Sequence, residues 1–306
     1  MGCHPAPHHG KDAPLTAHSP QPTDPSRPFD VLALDLDGTL LSSEKRLATR
    51  DIQAVTAAAR AGVRIVLATA RPPRSTRPIY NALGLSRCDL GLHTLTINYN
   101  GALTWDMSTN QPVEHFPIDP HLSRAVVTAA RTADPEVLVW VEILDRWCTD
   151  RPHDESTGVR GTETSKTHGP DEIAPLEQIL SLPATKIMFL ADPAGLAPVY
   201  QRVVERFAEP GLLACKVSDE HLFSVCSLKA DKGAALESLC ARHGVPRERV
   251  MAIGDAPNDA EMLRWAGLGL AVQDAWPEAR AAADQILDHT SDDNAVAEAI
   301  ERYLLV

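Results

Sequence analysis

From Phe29 onward, short apolar runs alternate with amphipathic stretches. Val31-Leu32-Ala33-Leu34 is a continuous apolar run that stops at Asp35, and Ile65-Val66-Leu67-Ala68 stops at Thr69. Leu95-Thr96-Ile97 runs into Asn98-Tyr99-Asn100-Gly101, and Val250-Met251-Ala252-Ile253 into Gly254-Asp255. Leu268 to Val272 and the pair Ile286-Leu287 read the same way. Runs of four or five apolar residues ending in polar ones are the pattern of strands buried on both faces. Between them the spacing predicts helices over 49–60, with Thr49 as N-cap and Gly62 as stop, and over 75–83, ahead of Gly84. Further helices are predicted over 232–243, 259–266 and 294–304. The repeated β-α order implies an α/β fold, a Rossmann-like parallel sheet with helices on both faces. Ligands of such sheets bind beyond the carboxyl ends of the strands, where Asp35, Thr69 and Asp255 all stand.

The middle of the chain has a different texture. Aromatic and β-branched residues crowd into Val137 to Ile143, between helical stretches near 121–132 and 194–207. Residues 150–172 are polar and rich in Thr, Gly, His and Asp, as in a loop. Residues 102–218 are therefore expected to form an inserted α+β domain, which splits the main domain into 29–101 and 219–306. Residues 1–28, rich in Pro and His, cannot offset their ordering entropy by burial and read as a disordered tail. That tail has no apolar centre of a secretory signal, and Ala6 stands where a myristoylation motif needs Ser or Thr.

Composition narrows the function. A formal net charge of -12 argues against a nucleic-acid partner, although local cations or a metal can still hold a small anion in one cleft. No apolar run approaches the roughly 20 residues of a membrane span. The six cysteines form no C-x-x-C pair, which fits reduced thiols in a cytoplasm. The histidines show no metal-ligand spacing outside the tail.

The strand ends carry the candidate chemistry. Asp35 and Asp37 flank Leu36 and precede Gly38, and two carboxylates this close repel unless a cation intervenes. Asp255 and Asp259 bracket the turn Ala256-Pro257-Asn258, at a strand end and a helix start. An oxygen-only set of carboxylates suits Mg²⁺. Thr69, with its hydroxyl and adjacent N–H groups, can hold a phosphoryl oxygen. Lys232, or its rival Lys229, can neutralise one as a point charge.

The ordered set Asp35-x-Asp37-Gly38-Thr39, Thr69, Lys232 and Gly254-Asp255-x-x-Asn258-Asp259 resembles the four motifs of the haloacid dehalogenase superfamily. The longer strings DLDGTLL, ATARP, NGA, DKGAAL and GDAPNDAEML are similar to its Cof-type phosphatase branch, which carries a large α/β cap. Ala70 departs from the Gly common in relatives but still supplies a backbone N–H. The resemblance implies a phosphatase that splits a small phosphate monoester, a sugar phosphate or phosphorylated cofactor, through an aspartyl-phosphate. It assigns the nucleophile to Asp35, general acid–base work to Asp37 and Mg²⁺ binding to Asp35, Asp37 (through its carbonyl), Asp255 and Asp259. Phosphate contacts fall to Thr69, Lys232, Asn258, Asn100, Arg71 and the N–H groups of Leu36 and Ala70. A dehalogenase would not need Asp37; a phosphomutase or other phosphotransferase would use the same aspartates; a non-catalytic binding module would be expected to have lost one of them. In the insert, Asp145, Arg146 and Trp147 follow a strand, and two readings stand: they hydrogen-bond and stack on a leaving group, or Trp147 packs in the core of the insert and Asp145-Arg146 is a solvated turn.

Overall fold

The computed structural model describes residues 27–87, 94–152, 165 and 168–305. The expected tail, up to residue 26, and most of the 150–172 loop lie outside the described residues. The strands, in chain order, are β1 (Val31–Leu34), β2 (Arg64–Ala68), β3 (Leu95–Asn98), β4 (Leu103–Asp106), β5 (Gln111–His115), β6 (Leu138–Ile143) and β7 (Arg146–Thr149). They continue with β8 (Glu172–Ile173), β9 (Lys186–Leu190), β10 (Ala214–Asp219), β11 (Leu222–Cys226), β12 (Val250–Gly254), β13 (Leu268–Ala271) and β14 (Gln285–Ile286). The helices are α1 (Thr49–Arg60), α2 (Pro73–Ala82), α3 (Pro120–Ala133), α4 (Leu176–Ile179), α5 (Pro193–Val203), α6 (Lys232–Arg242), α7 (Ala260–Trp265), α8 (Pro277–Ala282) and α9 (Ala295–Tyr303).

The larger sheet has the order β14-β13-β12-β1-β2-β3-β4-β5. Its first six strands are parallel, and β4 and β5 continue it antiparallel. Apolar runs predict buried strands because such strands have a helix or another layer on each side, and β1, β2 and β12 are buried at every position. Chain order reverses at β1, with β2 on one side and β12 on the other, so a crevice opens beyond their carboxyl ends. Helix α1 packs with α9, and α7 with α6 and α8.

Two helix starts differ from expectation. Thr49 is the first helical residue; Ala48 occupies the cap position, with no side-chain bond. Helix α2 begins at Pro73 rather than Ser75, because proline lacks the N–H that the first turn leaves unpaired. A cap does reach α9 from elsewhere: the buried Asp51 carboxylate of α1 accepts from Ala297 N at 2.8 Å.

The second sheet, β10-β11-β9-β6-β7-β8, is antiparallel apart from β7 and β8. Its Val139, Val141, Ile187, Phe189, Phe223 and Val225 pack under α3 and α5 in a separate core. Both expected insert boundaries shift. β4 and β5 fall inside 102–218 yet extend the larger sheet, because Leu103 and Trp105 complete its core. β11 lies beyond 219 yet pairs with β9 and β10, so the chain leaves the smaller sheet only after Cys226.

Candidate active site

Asp35 leaves β1 with its N–H donating to Ile253 O at 3.1 Å, so the sheet fixes its backbone beside β12. The chain then folds back on itself: Leu41 N donates to Leu36 O at 2.7 Å, and Gly38 adopts φ +95. A side chain at Gly38 would meet Asp255, since its Cβ would lie 2.5 Å from Oδ2. Glycine thus serves both the turn and the approach of the second strand end. Thr39 Oγ1 donates to Asp255 Oδ1 at 2.9 Å and ties the two ends together.

Asp259 organises the other side. Its Oδ2 accepts from Asp255 N at 3.1 Å and Ala256 N at 3.0 Å, and its Oδ1 from Lys232 Nζ at 2.6 Å. Gly254 makes room, because a Cβ there would sit 2.5 Å from that of Asp259. Lys232 opens α6, capped by Asp231, whose carboxylate accepts from Ala234 N at 2.8 Å. The fully buried Lys232 ammonium also donates to Asp35 Oδ1 at 2.5 Å.

One oxygen each from Asp35, Asp255 and Asp259 lie within 4.8 Å of one another. Burial, then the neighbouring Asp259 carboxylate, drives Asp35 well above the usual carboxylate range, with Lys232 opposing. The same two causes push Asp255 up to about 6, against the Thr39 hydrogen bond. Burial disfavours the charge on Lys232, but Asp259 and Asp35 outweigh it and hold the ammonium protonated. Three buried carboxylates around one ammonium leave excess negative charge, and all the acidic donors are oxygens. The residues fit a hard divalent cation. Both oxygens of Asp259 are already bound by protein donors, which suits a supporting place better than a direct ligand.

Asp37 faces a different neighbourhood. Arg71 grips it with two bonds of 2.6 Å, and Lys45 Nζ lies 3.0 Å away. Burial would raise its pKa, but Arg71 first and then Lys45 hold it below the ordinary value. Thr69 follows β2; its Oγ1 accepts from Arg71 N at 3.1 Å, and its carbonyl from Asn100 N at 3.0 Å. Asn100 takes a left-handed conformation, φ 57, and accepts from Asn258 Nδ2 at 2.8 Å. Leu36 is buried and Ala70 exposed, each directly after a strand-end residue, so only their backbone groups can serve the site.

The expected residues therefore converge on one sheet end, and Lys232 rather than Lys229 is among them. Lys229 is exposed, its ammonium 6.0 Å from the centre of the Phe116 ring. For Trp147 the packing alternative holds, and Asp145 turns to α2 rather than to solvent or a ligand. Trp147 is 4% exposed, with its ring centre 4.5 Å from that of Trp140. Asp145 accepts from Arg74 N at 2.8 Å, and Arg146 pairs with Glu172. Asp145 is thus taken up by α2 and Trp147 by packing, while Arg146 stays half-exposed in its ion pair. Sequence reading missed Lys45, which sits in an ordinary polar stretch. It also missed Glu142, whose signal was a lone carboxylate inside an apolar strand.

A model of the haloacid dehalogenase-like hydrolase family matches residues 32–300. Among its relatives, the pyridoxal phosphate phosphatase YbhA of Escherichia coli (strain K12) is 28% identical over 286 residues, covering 90% of this chain and 98% of the relative. The 5-amino-6-(5-phospho-D-ribitylamino)uracil phosphatase YitU of Bacillus subtilis (strain 168) is 25% identical over 290 residues, 91% and 98% of the two chains. A haloacid dehalogenase-like hydrolase from Bacteroides thetaiotaomicron superposes with a TM-score of 0.78 at 26% identity, over 90% of this chain and 99% of that one. Similarity of this extent reaches both sheets and every strand end described above, and the chain belongs to the haloacid dehalogenase-like hydrolase family.

Proposed function

We propose that the chain, a phosphatase by its family and its relatives, hydrolyses a small phosphorylated metabolite with Mg²⁺ by way of a phosphoryl group carried on Asp35. The observation that carries this reading is the placement of Asp35. Its carboxylate is buried, fixed by the sheet and held by Lys232 on one oxygen, with Asp37 two residues on. Asp35 attacks phosphorus and the bond from phosphorus to the ester oxygen breaks. Asp37 gives that oxygen its proton, then takes a proton from the water that releases phosphate and regenerates Asp35. Splitting the reaction in this way lets one carboxylate attack and be recovered. Arg71 and Lys45 now hold Asp37 ionised, the state that suits its second task; for its first, they must exchange it for the incoming phosphoryl oxygens.

Lys232, Thr69, Asn258, Asn100 and the N–H groups of Leu36 and Ala70 surround the transferring oxygens and stabilise their charge. Asp35, Asp255 and the Asp37 carbonyl would hold Mg²⁺, with Asp259 positioning Asp255 and Lys232. When bound, the ion neutralises charge on the phosphoryl oxygens. The smaller sheet and its helices act as a cap on the leaving-group side. Relatives named for pyridoxal phosphate and a phosphoribitylamino-uracil favour a ring-bearing monoester. The free thiols of Cys148, Cys215, Cys226 and Cys240 suit a reducing cytoplasm. Among the described residues no helix is long and apolar enough to cross a membrane.

The test is a panel of phosphate esters assayed with Mg²⁺, with EDTA, and with added sugar acceptors. Phosphate release that needs Mg²⁺ is expected. Transfer to the acceptor would make the enzyme a phosphotransferase, and no turnover at all would make it a binding module.

A further inference from the structure

A second buried set of charges lies away from the strand-end site, between the two sheets. Glu142 sits on β6, where alternation turns it away from α3 and α5. Its carboxylate accepts from Arg74 Nη2 at 2.6 Å and from Tyr99 OH at 3.0 Å. Both partners belong to the body of the larger sheet. Asp145, in the next turn, accepts from Arg74 N at 2.8 Å, and the Tyr99 hydroxyl also lies 2.9 Å from Leu144 O. Leu144 has φ 56, the left-handed value that folds this turn back onto α2. A third point holds the same turn: Leu144 N donates to Thr185 Oγ1 at 2.8 Å, and Thr185 Oγ1 lies 2.9 Å from His115 Nε2 at the end of β5.

The core-side partners are also attached to the strand-end site. Arg74 is three residues beyond Arg71, which grips Asp37. Tyr99 directly precedes Asn100, which binds Asn258, and both have positive φ. A non-glycine pair in that region persists only where its surroundings over-determine it. That restraint comes from the larger sheet's own residues, since Tyr99 N donates to Arg71 O at 3.3 Å, Asn100 N to Thr69 O at 3.0 Å and Asn258 Nδ2 to Asn100 Oδ1 at 2.8 Å, so the strand-end site keeps its shape when the smaller sheet shifts.

We propose that Arg74, Tyr99, Glu142 and Asp145 are positioning residues, a latch that docks the smaller sheet at a set distance from Asp35 and fixes the space available to the leaving group. The inference rests on the phosphatase reading for its kinetic consequences and not for its structural one. Burial opposes the charge on both partners: Glu142 outweighs it for Arg74, while Glu142 itself is held above its ordinary value in spite of Arg74 and Tyr99, and the contact at 2.6 Å stands on its geometry. Loss of one partner leaves the other buried without a counter-charge, which opens the contact. A leaving group large enough to touch the smaller sheet feels that change. One that reaches no further than the phosphoryl site does not.

Glu142→Gln and the milder Tyr99→Phe test this in the full-length protein. Pyridoxal phosphate serves as the large ester and phenyl phosphate as the minimal one. The expected result is a KM for the large ester raised tenfold or more, with kcat for phenyl phosphate within about twofold of the parent. Amide exchange at Arg74, which donates to Asp145, should rise at the same time, and Glu142→Asp should restore part of both. Equal losses on the two esters, or parental exchange at Arg74, would overturn the latch. If the parent hydrolyses neither ester, the exchange arm decides the latch alone and the ester panel decides the phosphatase reading.

Discussion

The molecule buries charge in two places, and the two are built differently. At the strand ends, three carboxylates surround one ammonium, Asp259 is bound on both oxygens, and Asp35 and Asp255 are left to repel each other. Between the sheets, Glu142 has both oxygens occupied, and Asp145 keeps part of its surface in water. The first arrangement has unspent negative charge at the mouth of a crevice and therefore an appetite for a cation and a reacting group. The second is close to satisfied and joins two bodies. A buried ion pair by itself says little about function; the charge that remains after its partners are counted says more.

The largest way to break this contrast is to remove the nucleophile. Asp35→Asn keeps the shape and should cost at least about 10⁴-fold in kcat, as removal of a nucleophile does elsewhere. Circular dichroism should show an intact fold, and a kcat within tenfold of the parent would remove Asp35 from the chemistry. Next in size is Asp37→Asn, expected to lower kcat by about 10²–10⁴-fold, the usual range for one general acid–base group. Mg²⁺ should still raise the melting temperature of that variant, because Asp37 would bind the ion through its carbonyl, whereas Asp255→Asn should lose the rise. Equal loss in both would contradict the backbone assignment.

A smaller effect lies outside both charge sets. Burial raises the pKa of Asp51 to about 6, while the Ala297 N–H opposes the shift. The folded protein therefore holds a proton that the unfolded chain releases at its lower, ordinary value. Asp51 favours folding most below that ordinary value, and the benefit is lost as pH rises through about 6. Asp51→Asn keeps an acceptor for Ala297 and removes the charge. It should stabilise the protein at neutral pH, by up to about 3 kcal/mol for a shift of this size, and flatten the slope of stability between the two pKa values. Urea unfolding across that range measures it, and an unchanged slope would assign the shift elsewhere.

The contrast also explains what could be read from the sequence. Strand ends were legible because a buried parallel strand is a continuous apolar run, and the residue that ends it is polar for a reason. Asp35, Thr69 and Asp255 stood out that way, and the spacing to Asp259 marked the helix start behind them. The insert was legible as a change of texture, but its edges were not. β4 and β5 look like the insert in composition, and only their pairing with β3 assigns them to the larger sheet. The latch was illegible for a similar reason. Arg74, Tyr99 and Glu142 are far apart in the chain, and nothing local says that a carboxylate inside β6 meets a guanidinium on α2. Asp145 was noticed and misread, because a polar turn after a strand looks the same whether it faces a ligand or another part of the protein.

The most direct test of the account is to look for the phosphoryl group on the protein. The enzyme is mixed with a ³²P-labelled ester and Mg²⁺, quenched in acid within one turnover, and digested for mass analysis. The account predicts label on the peptide that contains Asp35, lost on treatment with hydroxylamine and absent from Asp35→Asn. Multiple turnovers with no label on the parent protein, or label that persists in Asp35→Asn, would contradict it.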